Sequence, residues 1–152
     1  MTPDNILKRV VVDRLDWVQR MVAEIEALPL DDRQAFFADS RNVWTAESCL
    51  RRGLEALLDT GRHILAKGFA KGVSEYKEVA IELGQCGILT PEEVQLLRLM
   101  AGYRNRMAHF YHEITPDEIY EICRTNLSDL TRISSAYRTW LKQNPDKLDE
   151  QL

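Results

Sequence analysis

An arginine, a histidine and a tyrosine stand at fixed spacing within the nine residues YRNRMAHFY, which run from Tyr103 to Tyr111. An arginine side chain is always charged, and its planar fork fits phosphate oxygens. Histidine side chains as a class can take up or release a proton near neutral pH. This pair suits phosphodiester chemistry without a metal ion, and we take Arg104 and His109 as the candidate catalytic residues.

Charge argues against a general nucleic-acid-binding surface, because the formal net charge is −4 and phosphate binding draws on basic surfaces. The segment 94–112 is an exception, since it holds three arginines, two histidines and no acidic side chain. A small site for a nucleic-acid phosphate is therefore compatible with the sequence. Within this segment, Arg98 and Arg106 are candidate contacts for RNA phosphates.

Metal and disulfide chemistry find little support in the sequence. His109 and His112 form a His-X-X-His pair, but no third ligand is evident, so we predict neither a metal site nor a cofactor. The three cysteines are Cys49, Cys86 and Cys123, an odd and scattered set without a CxxC pair. No apolar run reaches the roughly 18 residues of a membrane span, and the first residues do not resemble a signal peptide. We expect a cytoplasmic protein.

The 152 residues suit one domain, and the pattern of apolar residues predicts an all-α, up-and-down bundle of four to five helices. We expect this domain to span residues 1–144 and the end, 145–152, to be flexible. The helices are predicted over about 4–28, 40–67, 74–83, 91–112 and 116–141, with a helical turn near Phe36 and Phe37. Gly68 is expected to stop the second helix. Thr-Pro pairs followed by a glutamate predict capping boxes at Thr90 and Thr115.

The helix that carries the motif has two distinct faces. At 100° per residue, the predicted core stripe contains Leu96, Met100, Tyr103, Met107 and Phe110. The opposite face contains small and polar residues, and we expect it to meet a second copy of the chain: Arg98, Ala101, Gly102, Asn105, His109 and His112. Arg104 and His109 lie about 140° apart on a regular helix. Either the helix loosens, or the arginine reaches around, or two chains share one cleft, and we favour the shared cleft.

The string Arg-Asn-X-X-X-His-X-Tyr at residues 104–111 resembles the Arg-X-X-X-X-His-X-Tyr signature of HEPN-domain proteins of the HepT type. The resemblance extends over about residues 4–140. It includes the segments 61–67 (GRHILAK), 74–78 (SEYKE) and 100–103 (MAGY), and the helix start around residues 118–120. The complete string in a helical setting is more specific than an arginine and a histidine alone.

The resemblance implies a HEPN-like helical bundle that forms a two-fold homodimer and acts as a metal-independent ribonuclease. Such a protein is the toxin of a type VII toxin-antitoxin system, paired with a nucleotidyltransferase antitoxin of the MntA type. By position, Arg104 and His109 are the catalytic pair, Asn105 supports them, and Tyr111 is the residue that the antitoxin would modify by AMPylation.

A competing interpretation is a non-catalytic helical adaptor, or a substrate-binding subunit, for a nucleotidyltransferase. In that case the arginine and the histidine would anchor a protein or a nucleotide phosphate. We assign the three tryptophans to core or interface packing before stacking on nucleobases: Trp17, Trp44 and Trp140.

Overall fold

The computed structural model describes residues 5–109 and 114–149, and this part of the chain contains seven α-helices and one pair of two-residue strands. In chain order the elements are β1 Ile6–Leu7, α1 Lys8–Glu26, α2 Arg33–Ala38, α3 Ser40–Phe69, α4 Tyr76–Gln85, α5 Pro91–His109, α6 Pro116–Thr125, α7 Leu127–Gln143 and β2 Leu148–Asp149. The prediction of an all-α bundle is confirmed. No described helix is both long and apolar enough to cross a membrane.

Helix α3 is the central element of the bundle. It has 30 residues, about 45 Å of helix, and it contacts each of the other six described helices. Its inward face is a continuous apolar stripe with small residues interspersed: Ala46, Leu50, Gly53, Leu54, Leu57, Leu58, Gly61, Ile64 and Leu65. Burial of this stripe against its neighbours gives the hydrophobic stabilisation that holds the bundle together.

Gly61 permits a close approach of three helices in the core. A Cβ atom there would lie 2.7 Å from the Tyr137 hydroxyl and 2.8 Å from a Leu83 methyl. The Tyr137 hydroxyl donates a hydrogen bond to the Leu57 carbonyl at 3.2 Å, which satisfies its only polar group inside the core. Gly61 therefore allows α4 and α7 to contact the middle of α3.

The two chain ends meet, which the sequence did not indicate. The first helix begins at Lys8 and not near residue 4, because Ile6 and Leu7 are extended and pair in parallel with Leu148 and Asp149. The sequence predicted a flexible end from residue 145. In the structure, Pro145–Lys147 forms a short 3-10 helix, and the Lys147 ammonium donates to the Gly68 carbonyl at 3.0 Å.

The end of α3 differs from the prediction as well. Gly68 does not stop the helix but is buried within it, where a Cβ would lie 3.0 Å from Ile6. The stop is Ala70, which takes the left-handed conformation with φ of 55°. The Lys71 N–H then bonds to the Leu65 carbonyl at 3.0 Å, as in a Schellman motif.

One long helix was predicted over residues 116–141, and this prediction is wrong, because the segment divides into α6 and α7 at Asn126. The Asn126 side chain bonds to the Thr125 hydroxyl at 2.7 Å and to Asp129 at 3.3 Å. Such local side-chain bonds compete with the regular helical pattern. The apolar spacing continues across the break, which is why periodicity alone did not reveal it.

The two predicted capping boxes have different outcomes. At the start of α5, the Thr90 hydroxyl accepts from the Glu93 N–H and Glu93 accepts from the Thr90 N–H, so the box is complete. At the start of α6, the Thr115 hydroxyl accepts from the Glu118 N–H at 3.2 Å. The Glu118 carboxylate instead accepts from Arg106 of α5 at 2.8 Å, which ties the end of the motif helix to α6.

Candidate active site

Helix α5 packs by a face slightly rotated from the predicted one. Its buried residues are Leu97, Met100, Ala101 and Met107. Ala101, which was assigned to the outer face, is fully buried, so that assignment is wrong. Helix α4 packs against this side of α5, and a Cβ on Gly102 would lie 3.8 Å from Lys77. Part of the face expected to meet a second chain is therefore covered within one chain.

Arg104, Asn105 and His109 line one depression of about 320 Å³ on the surface of a single chain. The other residues that line it come from α3 and from the start of α4: Arg62, Ser74, Glu75 and Tyr76. Asn105 lies between Arg104 and His109 around the helix, so all three side chains reach the same hollow although α5 stays helical to His109. The candidate residues therefore meet within a single chain, without a contribution from a second copy.

The Arg104 guanidinium is positioned mainly by an aromatic ring. Its central carbon lies 4.8 Å from the centre of the Tyr76 ring, at the distance of a cation–π contact. Its hydrogen bonds are long, 3.4 Å from Nε to Glu55 and 3.5 Å from Nη1 to Asn105. The side chain is 21% exposed. The Tyr76 ring therefore orients the Arg104 side chain, while the N–H groups of the guanidinium make only long hydrogen bonds.

Tyr76 is in turn fixed by α3. Its hydroxyl donates to Asp59 at 2.7 Å. Burial, reinforced by this hydrogen bond to the Asp59 carboxylate, raises the pKa of Tyr76 to about 12 against the opposing effect of Arg104 and Arg62. The phenol stays neutral at physiological pH, so Tyr76 serves as a platform for the arginine and not as a proton carrier.

Sequence reasoning missed four residues of this arrangement: Glu55, Asp59, Arg62 and Tyr76. The first three are spaced by four and three residues, which places them on one side of α3. A row of charged residues at helical spacing beside the apolar stripe of α3 is the signal that could have revealed them. Arg62 and Tyr76 also lie within the segments 61–67 and 74–78 that carried the family resemblance.

The remaining predicted site residues lie elsewhere. Arg98 is exposed on α5, and Arg106 pairs with Glu118, with 34% of its side chain exposed. Neither lines the depression, and their contact with RNA phosphates stays a prediction. Phe110, Tyr111 and His112 fall outside the described residues.

Among the tryptophans, Trp140 lies beside Phe69, with 5.7 Å between the ring centres, whereas Trp44 is 69% exposed and is not a core residue.

The described residues form a helical bundle with an arginine and a histidine at one surface depression. Comparison with known proteins identifies the family. The family model described as ribonuclease HepT-like matches residues 18–137. A tRNA nuclease HepT from Aphanizomenon flos-aquae (strain 2012/KM1/D3) is 31% identical over 121 residues, which cover 76% of this chain and 79% of the relative. The chain belongs to the HepT-like ribonuclease family, and the predicted resemblance is confirmed.

Solved structures show the same fold at low identity. The tri-AMPylated Shewanella oneidensis HEPN toxin in complex with MNT antitoxin superposes with a TM-score of 0.77 at 21% identity, covering 86% of this chain and 97% of that one. The cytosolic protein of unknown function YutE from Bacillus subtilis gives 0.77 at 18% identity, with 92% and 94% covered. The HEPN-like bundle predicted from the sequence is confirmed by these matches.

Proposed function

We propose that this protein is the toxin of a type VII toxin-antitoxin system and that it cuts RNA in the cytoplasm by a metal-independent reaction at Arg104 and His109. The observation that carries the proposal is the single depression lined by Arg104, Asn105 and His109. The family supports a ribonuclease, and the relative described as a tRNA nuclease favours tRNA as the substrate class.

In the proposed reaction, His109 removes the proton from a ribose 2′-hydroxyl, and the resulting oxygen attacks the adjacent phosphorus. Arg104 stabilises the negative charge that builds on the phosphoryl oxygens. The bond from phosphorus to the 5′-oxygen breaks, and that oxygen takes a proton from a second acid. The products are a 2′,3′-cyclic phosphate and a 5′-hydroxyl end. Asn105, whose Oδ1 already faces Arg104, orients the arginine or binds a phosphate oxygen.

A homodimer would supply the second acid, as His109 of the other chain. Support comes from Leu99 on α5, a large apolar residue that is 48% exposed. An exposed leucine on a helix is suited to helix–helix contact across a two-fold axis. In this arrangement both depressions open toward the same cleft.

The proposed partner is a nucleotidyltransferase antitoxin of the MntA type. Support comes from a structural relative described as a tri-AMPylated HEPN toxin in complex with MNT antitoxin. The motif resemblance implies that Tyr111 is the residue modified. In the proposed modification, the Tyr111 oxygen attacks the α-phosphorus of ATP, its proton passes to a base, and pyrophosphate leaves. The attached AMP would add bulk and negative charge two residues from His109, where RNA must enter.

The decisive experiment is cleavage of tRNA by purified dimer in the presence of EDTA, with Arg104→Ala, His109→Ala and a control, Arg41→Ala. Arg41 is 81% exposed and lies 21 residues from Arg62 along α3, about 30 Å away. We expect each site variant to lose about 10²-fold or more in rate, and the control to match the wild type. Undiminished cleavage by His109→Ala, or cleavage that EDTA abolishes, would refute the proposal.

Mass spectrometry of the chain co-expressed with the antitoxin tests the modification. We expect increments of AMP on Tyr111 and none on the Tyr111→Phe variant. AMP found only on another tyrosine would contradict the assignment of Tyr111 while leaving the nuclease proposal intact.

A further inference from the structure

Arg62 is a second arginine of the depression, and the function proposed above gives it no role. Its guanidinium carbon lies 4.7 Å from the centre of the Tyr76 ring, the same ring that carries Arg104 at 4.8 Å. Two like charges are thus held beside one aromatic platform at the edge of one hollow. The two distances to the ring centre limit the separation of the guanidinium carbons to at most about 9.5 Å. Like charges repel at this range, and negative charge that contacts both guanidiniums relieves the repulsion.

The protein satisfies this second guanidinium only in part. Nη2 donates to the Ser74 carbonyl at 3.0 Å, and Nη1 lies 3.8 Å from Asp59. Nε is buried and has no hydrogen-bond partner within the described part of the chain. An arginine with a purely structural role is normally bound in a fork by a carboxylate, whereas Arg62 keeps 40% of its side chain exposed and donors to spare.

The acidic groups nearby are already engaged. Asp59 accepts from the Tyr76 hydroxyl, and Glu55 is shared between Arg104 and Arg51 at 3.4 and 3.5 Å. Glu75 lines the same hollow, so the local charge is mixed. Because of these acids, the site favours a strand that offers one phosphate to each guanidinium over an anion that is attracted by net charge alone.

We propose that Arg62 is a substrate-binding residue, which holds the RNA phosphate next to the one at which Arg104 and His109 act, and that Tyr76 positions both arginines. This inference rests on the proposed nuclease function. Adjacent phosphates of one strand then bind along the line from Arg62 to Arg104, which fixes the register of the ribose 2′-hydroxyl relative to His109. Arg62 contributes to the binding of substrate more than to the chemical step.

The test uses the full-length dimer with Arg62→Gln and Arg62→Lys, and with Arg41→Ala as a control that removes one arginine at a distance. Glutamine keeps an N–H donor for the Ser74 carbonyl but loses the charge, and lysine keeps the charge. For tRNA cleavage we expect Arg62→Gln to raise KM about tenfold and to leave kcat within about twofold, whereas Arg62→Lys lies between it and the wild type. The control is expected to leave both constants unchanged.

Binding is measured separately in a His109→Ala background, with a fluorescent single-stranded RNA over a series of salt concentrations. Loss of one phosphate contact should reduce the slope of log K against log salt by about 0.7 for Arg62→Gln, with no change for Arg62→Lys. A KM and a salt slope equal to those of the wild type in Arg62→Gln would overturn the inference, even if its melting temperature falls. If Arg104→Ala and His109→Ala cleave normally, the proposed function fails first, and this result is distinguishable from failure at Arg62 alone.

Discussion

The unfolding free energy of this protein should depend on pH through His63. Its Nε2 accepts a hydrogen bond from the Leu7 N–H at 3.1 Å, at the start of α1. An imidazole can accept this bond only while that nitrogen is unprotonated. Burial, together with the charges of Arg14 and Lys67, lowers the pKa of His63 to about 4. His63 is therefore neutral in the folded protein at pH values where the unfolded chain already binds a proton.

The direction in which the unfolding free energy changes with pH follows from the difference between the folded and unfolded pKa of His63. Because the folded pKa is depressed relative to 6.5 in the unfolded chain, the stabilisation is complete above about pH 6.5 and is lost as the pH falls toward 4. The full shift corresponds to an upper bound of about 3 kcal/mol. Since the side chain is only half-buried, we expect about 1–2 kcal/mol to be lost between pH 7.5 and 5.

Urea unfolding of the wild type and of His63→Gln at a series of pH values measures this effect. The amide oxygen of glutamine can accept from Leu7 but does not titrate, so the wild-type curve should fall below the variant curve as the pH decreases. Carboxylates titrate in both proteins and cancel in the difference. Arg14→Gln should raise the pKa of His63 and reduce the dependence. Parallel curves for the wild type and His63→Gln between pH 7.5 and 5 would refute the reasoning.

Three further predictions concern the helix end, the core and the dimer. Ala70→Gly should stabilise the fold by about 0.5–1 kcal/mol in urea unfolding, because Ala70 has a φ of 55° that glycine adopts without steric cost; a loss of stability would contradict it. Gly61→Ala should cost about 1–3 kcal/mol or more, since its Cβ would overlap the Tyr137 hydroxyl, and an unchanged denaturant midpoint would count against this packing. Leu99→Asp should convert the dimer to a monomer, as measured by light scattering, and should lower the cleavage rate. The control Val12→Asp, at a position on α1 that is 36% exposed, should do neither. A Leu99→Asp protein that remains dimeric would exclude this interface.

Local patterns predicted where most of the helices lie, because the period of the apolar residues is visible along the sequence. The Thr90–Glu93 capping box is an example, since both partners lie within one turn. Prediction failed where the answer depended on distant residues. Gly68 reads as a helix stop, yet its role is to accommodate Ile6 from the chain end. Glu118 reads as a capping residue, yet it pairs with Arg106.

The candidate site shows the same division. Arg104, Asn105 and His109 share one helix, so their spacing was visible in the sequence. Tyr76 lies 28 residues before Arg104 and meets it only because α4 packs beside α5 and α3 passes behind both. The spacing of apolar residues within one helix does not predict this contact between residues of two helices. The sequence therefore predicted the groups to which we assign the chemistry, but not the ring that directs Arg104.

That ring resolves a conflict between holding an arginine and leaving it available. A strong bidentate carboxylate would fix Arg104, but it would also neutralise the charge that a transition-state phosphate needs and would use the same donors. A cation–π contact leaves the N–H groups in the plane of the guanidinium free to point outward, while the ring excludes water from one face. The long hydrogen bonds to Glu55 and Asn105 help to orient the Arg104 guanidinium and reduce its available charge only slightly. Positioning by Tyr76 thus keeps the charge of Arg104 available in a chain with a net charge of −4.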